Sequence, residues 1–197
     1  RAPRTAKDHV TPGLIGFATP GNGRDTDGCA FLNRMADALG EAPGQTRALH
    51  VEPGVGLGRV GLDFVGSGAG VVWNASRSIA CVMEGELYDA ARLERETADP
   101  AQPPATNPAA LLLRLYERHG VDAMGRVNGA FVAAVWNRQT RELVVFNDRL
   151  GLHPVYYAQV GERVLFGSGV RALMVHPDLI RTVDVVALHQ FLIHDHV

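Results

Sequence analysis

Two hydrophobic patterns alternate along this chain, short apolar runs and apolar stripes at helical spacing. The runs predict strands, because each is bounded by Gly, Pro or Asn/Asp positions typical of turns. The predicted strands are Gly13–Ala18, Arg47–Val51, Val55–Val60, Leu62–Val65, Val71–Asn74, Ile79–Met83, Ala130–Trp136, Glu142–Asn147, Val155–Gln159 and Arg163–Gly167. The stripes predict helices, at Cys29–Leu39, Asp89–Leu93, Asn107–His119, Val121–Val127, Val170–Val175 and Val185–Leu192.

Helix boundaries are marked most clearly in the segment before Gly120. Asn107 is a favoured N-cap residue, Pro108 occupies the first helical position, and Gly120 can end the helix. The strands come in blocks with helices between them, and most connections are tight. This arrangement predicts an α+β domain of layered, mostly antiparallel sheets.

Composition narrows the class of protein without identifying it. The chain has 197 residues, 46% of them hydrophobic and 20% charged, which is typical of one globular domain. A net charge of −2 gives no basic excess for nucleic-acid binding, and no apolar run approaches the length of a membrane span. We therefore expect no nucleic-acid or membrane partner and a cytoplasmic location. Cys29 and Cys81 lack disulfide or zinc spacing and are expected to be reduced and mostly buried.

One stretch of the second half, Val127–Pro177, carries a specific pattern. It reads VNGAFVAAVWNRQTRELVVFNDRLGLHPVYYAQVGERVLFGSGVRALMVHP. This pattern resembles the glutaminase domain of asparagine synthetases, in which L-x-G-x-F-A-x-A-x-W-D precedes R-D-R-x-G-x-x-P-L-Y-Y and F-x-S-E-x-x-A-L. The matching positions are Gly129, Phe131, Ala133, Trp136, Asp148, Arg149, Gly151, Pro154, Tyr156, Tyr157, Phe166, Ser168 and Leu173. Upstream, GLIGFA and EGELYD resemble the opening strand and the N-G-E-I-Y-N motif of that family.

The resemblance implies a class II glutamine amidotransferase domain with the N-terminal-nucleophile hydrolase fold, a four-layer αββα sandwich. In active members an N-terminal cysteine attacks the glutamine amide, and its own α-amino group is the general base. That chemistry also needs an oxyanion donor, an arginine for the substrate carboxylate and an acidic group for its amine. The ammonia then passes to a second, adenylating domain.

Most positions expected to carry this chemistry have been replaced. The nucleophile position aligns with Pro12, and the carboxylate-binding arginine of L-G-H-x-R-L aligns with Gly61. The oxyanion asparagine becomes Glu84, and the aspartate that holds the substrate amine becomes Pro108. The H-R-G-P-D motif aligns with His50–Gly54, losing its arginine and aspartate. The pocket signature keeps only Gly85 and Glu86. The resemblance therefore implies a degenerate glutamine site with no catalytic residues.

The other conspicuous side chains have simpler interpretations. Trp136, Tyr156, Tyr157 and Phe166 are expected to pack in the core, and His153 to lie in a solvated loop. Asp148 and Arg149 are interpreted as a turn pair. His189, His194 and His196 do not share a helical face, so no metal site is predicted.

Family members that lack the cysteine include β-lactam synthetases and lasso-peptide cyclases, which form amides without ammonia. The chain is therefore predicted to be an inactive domain, a scaffold for an ATP-dependent ligase. Its organisation would be a flexible leader (1–11), the glutaminase-like domain (12–183) and a helix leading to a synthetase domain (184–197). ATP and Mg are expected only in that separate domain, which could be joined in cis or act in trans. Phe191 and Leu192 would contact it or mediate self-association as a homo-oligomer.

Two alternatives remain open at this point. Cleavage after Val10 would expose Thr11 as a processed nucleophile, so that the domain would hydrolyse glutamine. The register is off by one, however, which turns the side chain to the opposite face of the strand. The second alternative is a free-standing binding protein unconnected with any synthetase.

Overall fold

Two antiparallel sheets lie at the centre of the structure, a computed structural model that describes residues 12–21, 27–40, 44–62, 70–100 and 103–194. The first sheet contains β1 (Gly13–Ala18), β2 (Gln45–Glu52), β3 (Val55–Leu62), β8 (Tyr156–Val160) and β9 (Arg163–Gly167). Its strand order is β2-β3-β1-β9-β8. The second contains β4 (Val72–Trp73), β5 (Ile79–Leu87), β6 (Gly129–Asn137) and β7 (Glu142–Asn147), in chain order.

Helices cover the outer face of each sheet. The helices are α1 (Gly28–Ala38), α2 (Ala90–Thr97), α3 (Pro108–His119), α4 (Val170–Leu173) and α5 (Val185–His194). A 3-10 turn, Gly120–Arg126, follows α3. Helices α1 and α4 pack on the first sheet, and α2 and α3 on the second. This is the predicted α+β class, a four-layer αββα arrangement, and the prediction of antiparallel pairing is confirmed.

Strand alternation separates the core into three clusters. In β1, Ile15 and Phe17 pack against the α1 layer, whereas Leu14 faces the second sheet. In β5, Cys81 and Met83 pack against α3, whereas Val82 faces the first sheet. Because side chains alternate along a strand, any residue two positions from Leu14 or Val82 also points between the sheets. This rule decides which side chains can meet in the interior.

Most predicted boundaries are close to the observed ones, and the caps show why. The Asn107 side chain accepts a hydrogen bond from the backbone N–H of Ala110 at 2.9 Å, and Asp184 caps α5 in the same way. Asp27 precedes α1 but does not cap it, since its carboxylate pairs with Arg34. Of the predicted strand Leu62–Val65, Leu62 ends β3, and the remainder lies outside the described residues, as do the leader and Thr11.

Several predictions of burial were wrong. Cys29 is exposed, whereas Cys81 is buried and burial raises its pKa to about 12. Trp136 and Phe166 are buried as expected, but Tyr156 and Tyr157 are 43% and 80% exposed. Both tyrosines lie on β8, an edge strand of the first sheet. Consecutive residues of a strand point to opposite faces, so their exposure shows that neither face of β8 is fully covered at this point.

Candidate functional site

A buried ion pair joins the two sheets near the end of the sandwich where β1 begins. Arg59 lies on β3, two residues after the inter-sheet residue Leu57, and Glu84 lies on β5, two residues after Val82. Their side chains, 5% and 4% exposed, meet at 2.5 Å between Arg59 Nε and Glu84 Oε2. Each charge has left water, so each depends on the other.

The glycine at position 61 makes room for this ion pair. A Cβ added at Gly61 would lie 2.4 Å from Arg59 Nη2 and 2.6 Å from Cζ. The Arg59 guanidinium therefore occupies the space in which a side chain at position 61 would begin. An arginine at position 61, as in the family pattern, could not coexist with Arg59 in this conformation.

Glu84 is held in an unusual electrostatic environment. Burial raises the pKa of its carboxyl, and this effect outweighs the opposing attraction of Arg59 and, more weakly, of His153. A carboxylate cannot donate a hydrogen bond to a developing oxyanion, and its charge opposes one. What the structure shows at position 84 is a buried carboxyl group in contact with the Arg59 guanidinium.

Backbone geometry explains the glycines that match the family pattern beside Glu84. Gly85 has φ +108°, and a Cβ there would lie 2.2 Å from the carbonyl oxygen of Ala130. A Cβ at Gly129 would lie 2.2 Å from the carbonyl oxygen of Glu86. Both positions therefore require glycine for the close pairing of β5 with β6. The Glu86 side chain is exposed.

A tight turn closes the same end of the sandwich. Asp148 is buried, and its carboxylate accepts hydrogen bonds from the backbone N–H groups of Leu150, Leu152 and His153. Burial raises the pKa of this carboxyl, but the hydrogen bonds outweigh burial and the net pKa is lowered. The predicted pair with Arg149 is not what stabilises the turn. His153 is half-buried, contrary to the prediction of a solvated side chain.

Pro12, which aligns with the nucleophile position of the family, has no nucleophilic group in its side chain. Pro12 directly precedes β1 and lies two positions before Leu14. Because strand residues alternate between faces, Pro12 is on the side that faces the second sheet, as Leu14 is. The adjacent hydroxyl belongs to Ser168, which is buried and accepts a hydrogen bond from the backbone N–H of Leu14 at 2.9 Å. A Cβ at Gly13 would lie 2.3 Å from the Cβ of Ser168, so the serine and the first strand are packed together.

The structure does not bring all the predicted site positions together. His50–Gly54 forms the end of the β2–β3 hairpin, where His50 is opposite Leu57, while Gly61 is opposite Thr46. Leu57 and Gly61 are four positions apart, about 13 Å along the strand. The segment His50–Gly54, aligned with H-R-G-P-D, therefore lies at the other end of the hairpin from Gly61. Pro108 begins α3 in the outer layer and carries no group that could hold an amine.

Sequence reasoning assigned Glu84 but missed Arg59, the residue that pairs with it. The sequence contained a signal for this pair. Arg59 is a charged residue that follows the inward-facing residues Val55 and Leu57, and Glu84 is a charged residue that follows the inward-facing Val82. Two opposite charges in buried strand positions indicate a partner for each. Phe191 and Leu192, the other predicted contact residues, are 47% and 74% exposed on α5.

Comparisons with known proteins identify the family. A model described as "Glutamine amidotransferase domain" matches residues 12–197. The chain belongs to this family. Asparagine synthetase [glutamine-hydrolyzing] 3 of Bacillus subtilis is 34% identical over 110 residues, which cover 55% of this chain and 18% of that protein. Asparagine synthetase [glutamine-hydrolyzing] 2 of the same organism is 25% identical over 169 residues, covering 84% of this chain and 22% of that protein.

The solved structures support the fold assignment. Glutamine phosphoribosylpyrophosphate amidotransferase from B. subtilis aligns with a TM-score of 0.63 at 13% identity, covering 83% of this chain and 43% of that one. At this identity the likeness shows the fold alone, and it confirms the predicted N-terminal-nucleophile hydrolase fold. The glutamine amidotransferase domain described here spans about a fifth of the length of its asparagine synthetase relatives.

Two further observations concern the described part of the chain. None of its helices is long and apolar enough to cross a membrane. Within the same residues, no group of three or more His, Cys, Asp or Glu side chains is placed to hold a metal ion.

Proposed function

We propose that this domain does not hydrolyse glutamine and serves as a scaffold for an adenylating, amide- or lactam-forming ligase. The observation that carries the proposal is the Arg59–Glu84 ion pair. It puts a carboxylate at the position aligned with the oxyanion donor, and its guanidinium fills the space above Gly61. Pro12 supplies no nucleophile. The related asparagine synthetases are much longer proteins, which agrees with a second domain.

Without a nucleophile and an oxyanion donor, no covalent route to hydrolysis remains. Removal of one oxyanion donor alone lowers the rate by about 10²–10³, and here the nucleophile is missing as well. A ligase that uses an amine already present in its substrate needs no ammonia, so the glutaminase chemistry can be lost while the fold is kept.

The test is a glutaminase assay on the purified chain, with a glutamine-hydrolysing asparagine synthetase as the positive control. We expect glutamate release no faster than from a heat-denatured sample, and no change in Tm with glutamine, since a ligand of the native state must stabilise it. Pro12→Cys alone should not restore activity, because Gly61 and Glu84 remain unchanged. Glutamine-dependent glutamate release by the unmodified chain would refute the proposal.

Helix α5 is the proposed contact with the adenylating domain. It exposes Val185, Leu188, Phe191 and Leu192, and a soluble protein rarely leaves such a patch uncovered without a partner. With the adenylating domain expressed as a separate polypeptide, Phe191→Asp should weaken its co-purification with this domain. Val121→Asp is the matched control, because Val121 is also an exposed apolar residue (53%) but lies in the 3-10 turn. Equal recovery of the complex with both variants would contradict the role of α5.

The processed-nucleophile alternative has its own measurement. Intact mass of the purified chain should show no homogeneous species that begins at Thr11 without added protease. Such a species, together with glutaminase activity, would favour the active-enzyme alternative.

A further inference from the structure

A cavity opens between the sheets at the end opposite the Arg59–Glu84 ion pair. Its volume is about 760 Å³, and its walls come from the ends of β1 and β6, the β6–β7 turn and strands β7, β8 and β9. Along β6, Trp136 lies four residues from Val132, the residue that pairs with Glu84. This corresponds to about 13 Å along the strand, so the cavity and the ion pair are separate features.

The chemistry of the walls is mostly apolar, with one cation at the edge. Leu143, Val145 and Phe166 line the interior, and Tyr157 lies at the rim, 80% exposed. Arg141 is the one charged residue among the described residues of the lining. A pocket of about 300–1,000 Å³ that combines apolar walls with a few polar groups is typical of small-molecule sites.

Two polar groups in this lining are incompletely satisfied by the protein. Trp136 is 4% exposed, and its indole N–H has no hydrogen-bond partner among the described residues. A buried donor without an acceptor is costly, and such groups are rare in native structures. Arg141 forms no ion pair with a carboxylate in the described part of the chain; its Nη2 donates to the carbonyl oxygen of Gly21 at 2.6 Å.

Arg141 lies in the β6–β7 turn with a left-handed backbone conformation. Its φ is +56°, in the left-handed region that non-glycine residues rarely adopt. The guanidinium lies over the Trp136 ring, 5.8 Å from its centroid. Gly54, also at positive φ, leaves room for it, because a Cβ there would lie 2.9 Å from Arg141 Nη2. The turn therefore places a cation at the edge of an apolar cavity.

We propose that this cavity binds an apolar organic acid, with its hydrocarbon part between the sheets and its carboxylate on Arg141. Burial of the hydrocarbon supplies the affinity, and the guanidinium supplies a charge-assisted hydrogen bond that selects an anion over a neutral molecule of the same shape. The Trp136 side chain forms part of the cavity wall, so its indole resonance reports on a ligand bound there. This binding site does not depend on whether the domain hydrolyses glutamine.

The experiment uses octanoate and 1-octanol as probes and the indole N–H of Trp136 as the reporter. The chain has two tryptophans, so a Trp73→Phe variant assigns the Trp136 resonance in a ¹H–¹⁵N spectrum. We expect octanoate to shift this resonance saturably with a Kd below about 1 mM. Octanol should bind at least about tenfold more weakly, because it lacks the charge that pairs with Arg141.

Two variants with a matched control separate binding from non-specific effects. Arg141→Gln should weaken octanoate binding by about tenfold or more. Arg77→Gln is the control, because Arg77 also has positive φ (53°) and lies over a tryptophan, Trp73, but outside the cavity. Val164→Phe, at a 39% exposed position of the lining, should block the cavity without disturbing the core.

The outcomes are decisive in either direction. Octanoate-selective binding that falls with Arg141→Gln and Val164→Phe but not with Arg77→Gln supports the proposal. The absence of a saturable shift overturns it. Equal affinity for octanoate and octanol would show that the site does not select an anion, and so would octanoate binding that is unaffected by Arg141→Gln. Octanoate binding that is unaffected by Val164→Phe would show that the ligand binds outside this cavity. If Arg141→Gln fails to fold, the octanol comparison and Val164→Phe still decide.

Discussion

Breaking the interior ion pair should destabilise the domain far more than breaking an ion pair on its surface. Glu84→Gln removes the charge opposite Arg59 and leaves a guanidinium that is 5% exposed. No other ion pair to Arg59 exists among the described residues. Two unit charges about 4 Å apart interact by about 4 kcal/mol at an effective dielectric constant near 20. Loss of one partner of a buried pair costs about 3–5 kcal/mol. We therefore expect the free energy of unfolding to fall by about that amount.

A double-mutant cycle tests whether burial is the cause. Arg59→Met with Glu84→Leu removes both charges, and replacement of a buried pair by apolar residues is often neutral or stabilising. The double variant should lie within about 1 kcal/mol of the original chain, so the two single changes should be strongly non-additive. Arg59→Met alone should lose more stability at pH 8 than at pH 5. The Glu84 pKa is already raised in the folded state, and the native state then binds more protons than the unfolded one.

Urea unfolding followed by far-ultraviolet circular dichroism measures these free energies, provided that the transition is two-state. The control is Asp27→Asn, which breaks the pair with Arg34 in which the side chains are 48% and 60% exposed. That change should cost less than about 1 kcal/mol. A loss below about 1 kcal/mol for Glu84→Gln, with additive effects in the double variant, would refute the claim that the pair is buried and mutually dependent.

Three further changes test the packing around this site, each by the same unfolding measurement. Gly61→Ala should cost about 1–3 kcal/mol, because its Cβ would displace the Arg59 guanidinium; no loss would show that the guanidinium has another place to go. Gly85→Ala should cost at least about 3 kcal/mol or prevent folding, since its Cβ meets the Ala130 carbonyl oxygen and its φ is +108°. Asp148→Asn should cost about 2–4 kcal/mol near neutral pH through weaker acceptance of the three backbone N–H groups. Because the Asp148 pKa is lowered in the folded state, the difference in the free energy of unfolding between the original chain and this variant should shrink as the pH falls below about 4. A difference that stays constant with pH would contradict the role of the Asp148 charge.

The elements with strong local signals were predictable from the sequence. Asn107, Pro108 and Gly120 mark the ends of α3 because capping and proline geometry act within one turn of the chain. Short apolar runs bounded by turn residues likewise identified β1 and β6. The resemblance of Val127–Pro177 to a family then supplied the layer order, which depends on contacts between segments distant in the sequence.

The arrangement of the site depended on contacts that no local pattern contains. Arg59 and Glu84 meet because two separate sheets stack in one particular register. The exposure of Tyr156 and Tyr157 follows from the position of β8 at a sheet edge, which the strand pattern does not reveal. The separation of His50–Gly54 from Gly61 likewise depends on how β2 and β3 pair, because the two segments lie at opposite ends of this hairpin.

The residues that match the family pattern and those that depart from it have different physical roles. Gly85 and Gly129 are required because a Cβ added at either position would lie 2.2 Å from a backbone carbonyl oxygen. Asp148 and Ser168 accept hydrogen bonds from backbone N–H groups. Each of these roles concerns the fold and persists whether or not glutamine is bound.

In the proposed function, the positions of the nucleophile, the oxyanion donor and the carboxylate-binding arginine have no such role, so their replacement would leave the sandwich intact. Moreover, the replacements support one another, since Gly61 makes the space that Arg59 uses to reach Glu84. Restoration of a glutamine pocket would require the removal of this ion pair as well as the return of the missing groups. For this reason we expect the site to behave as a structural unit of a scaffold domain, in which single reversions destabilise the fold before they restore chemistry.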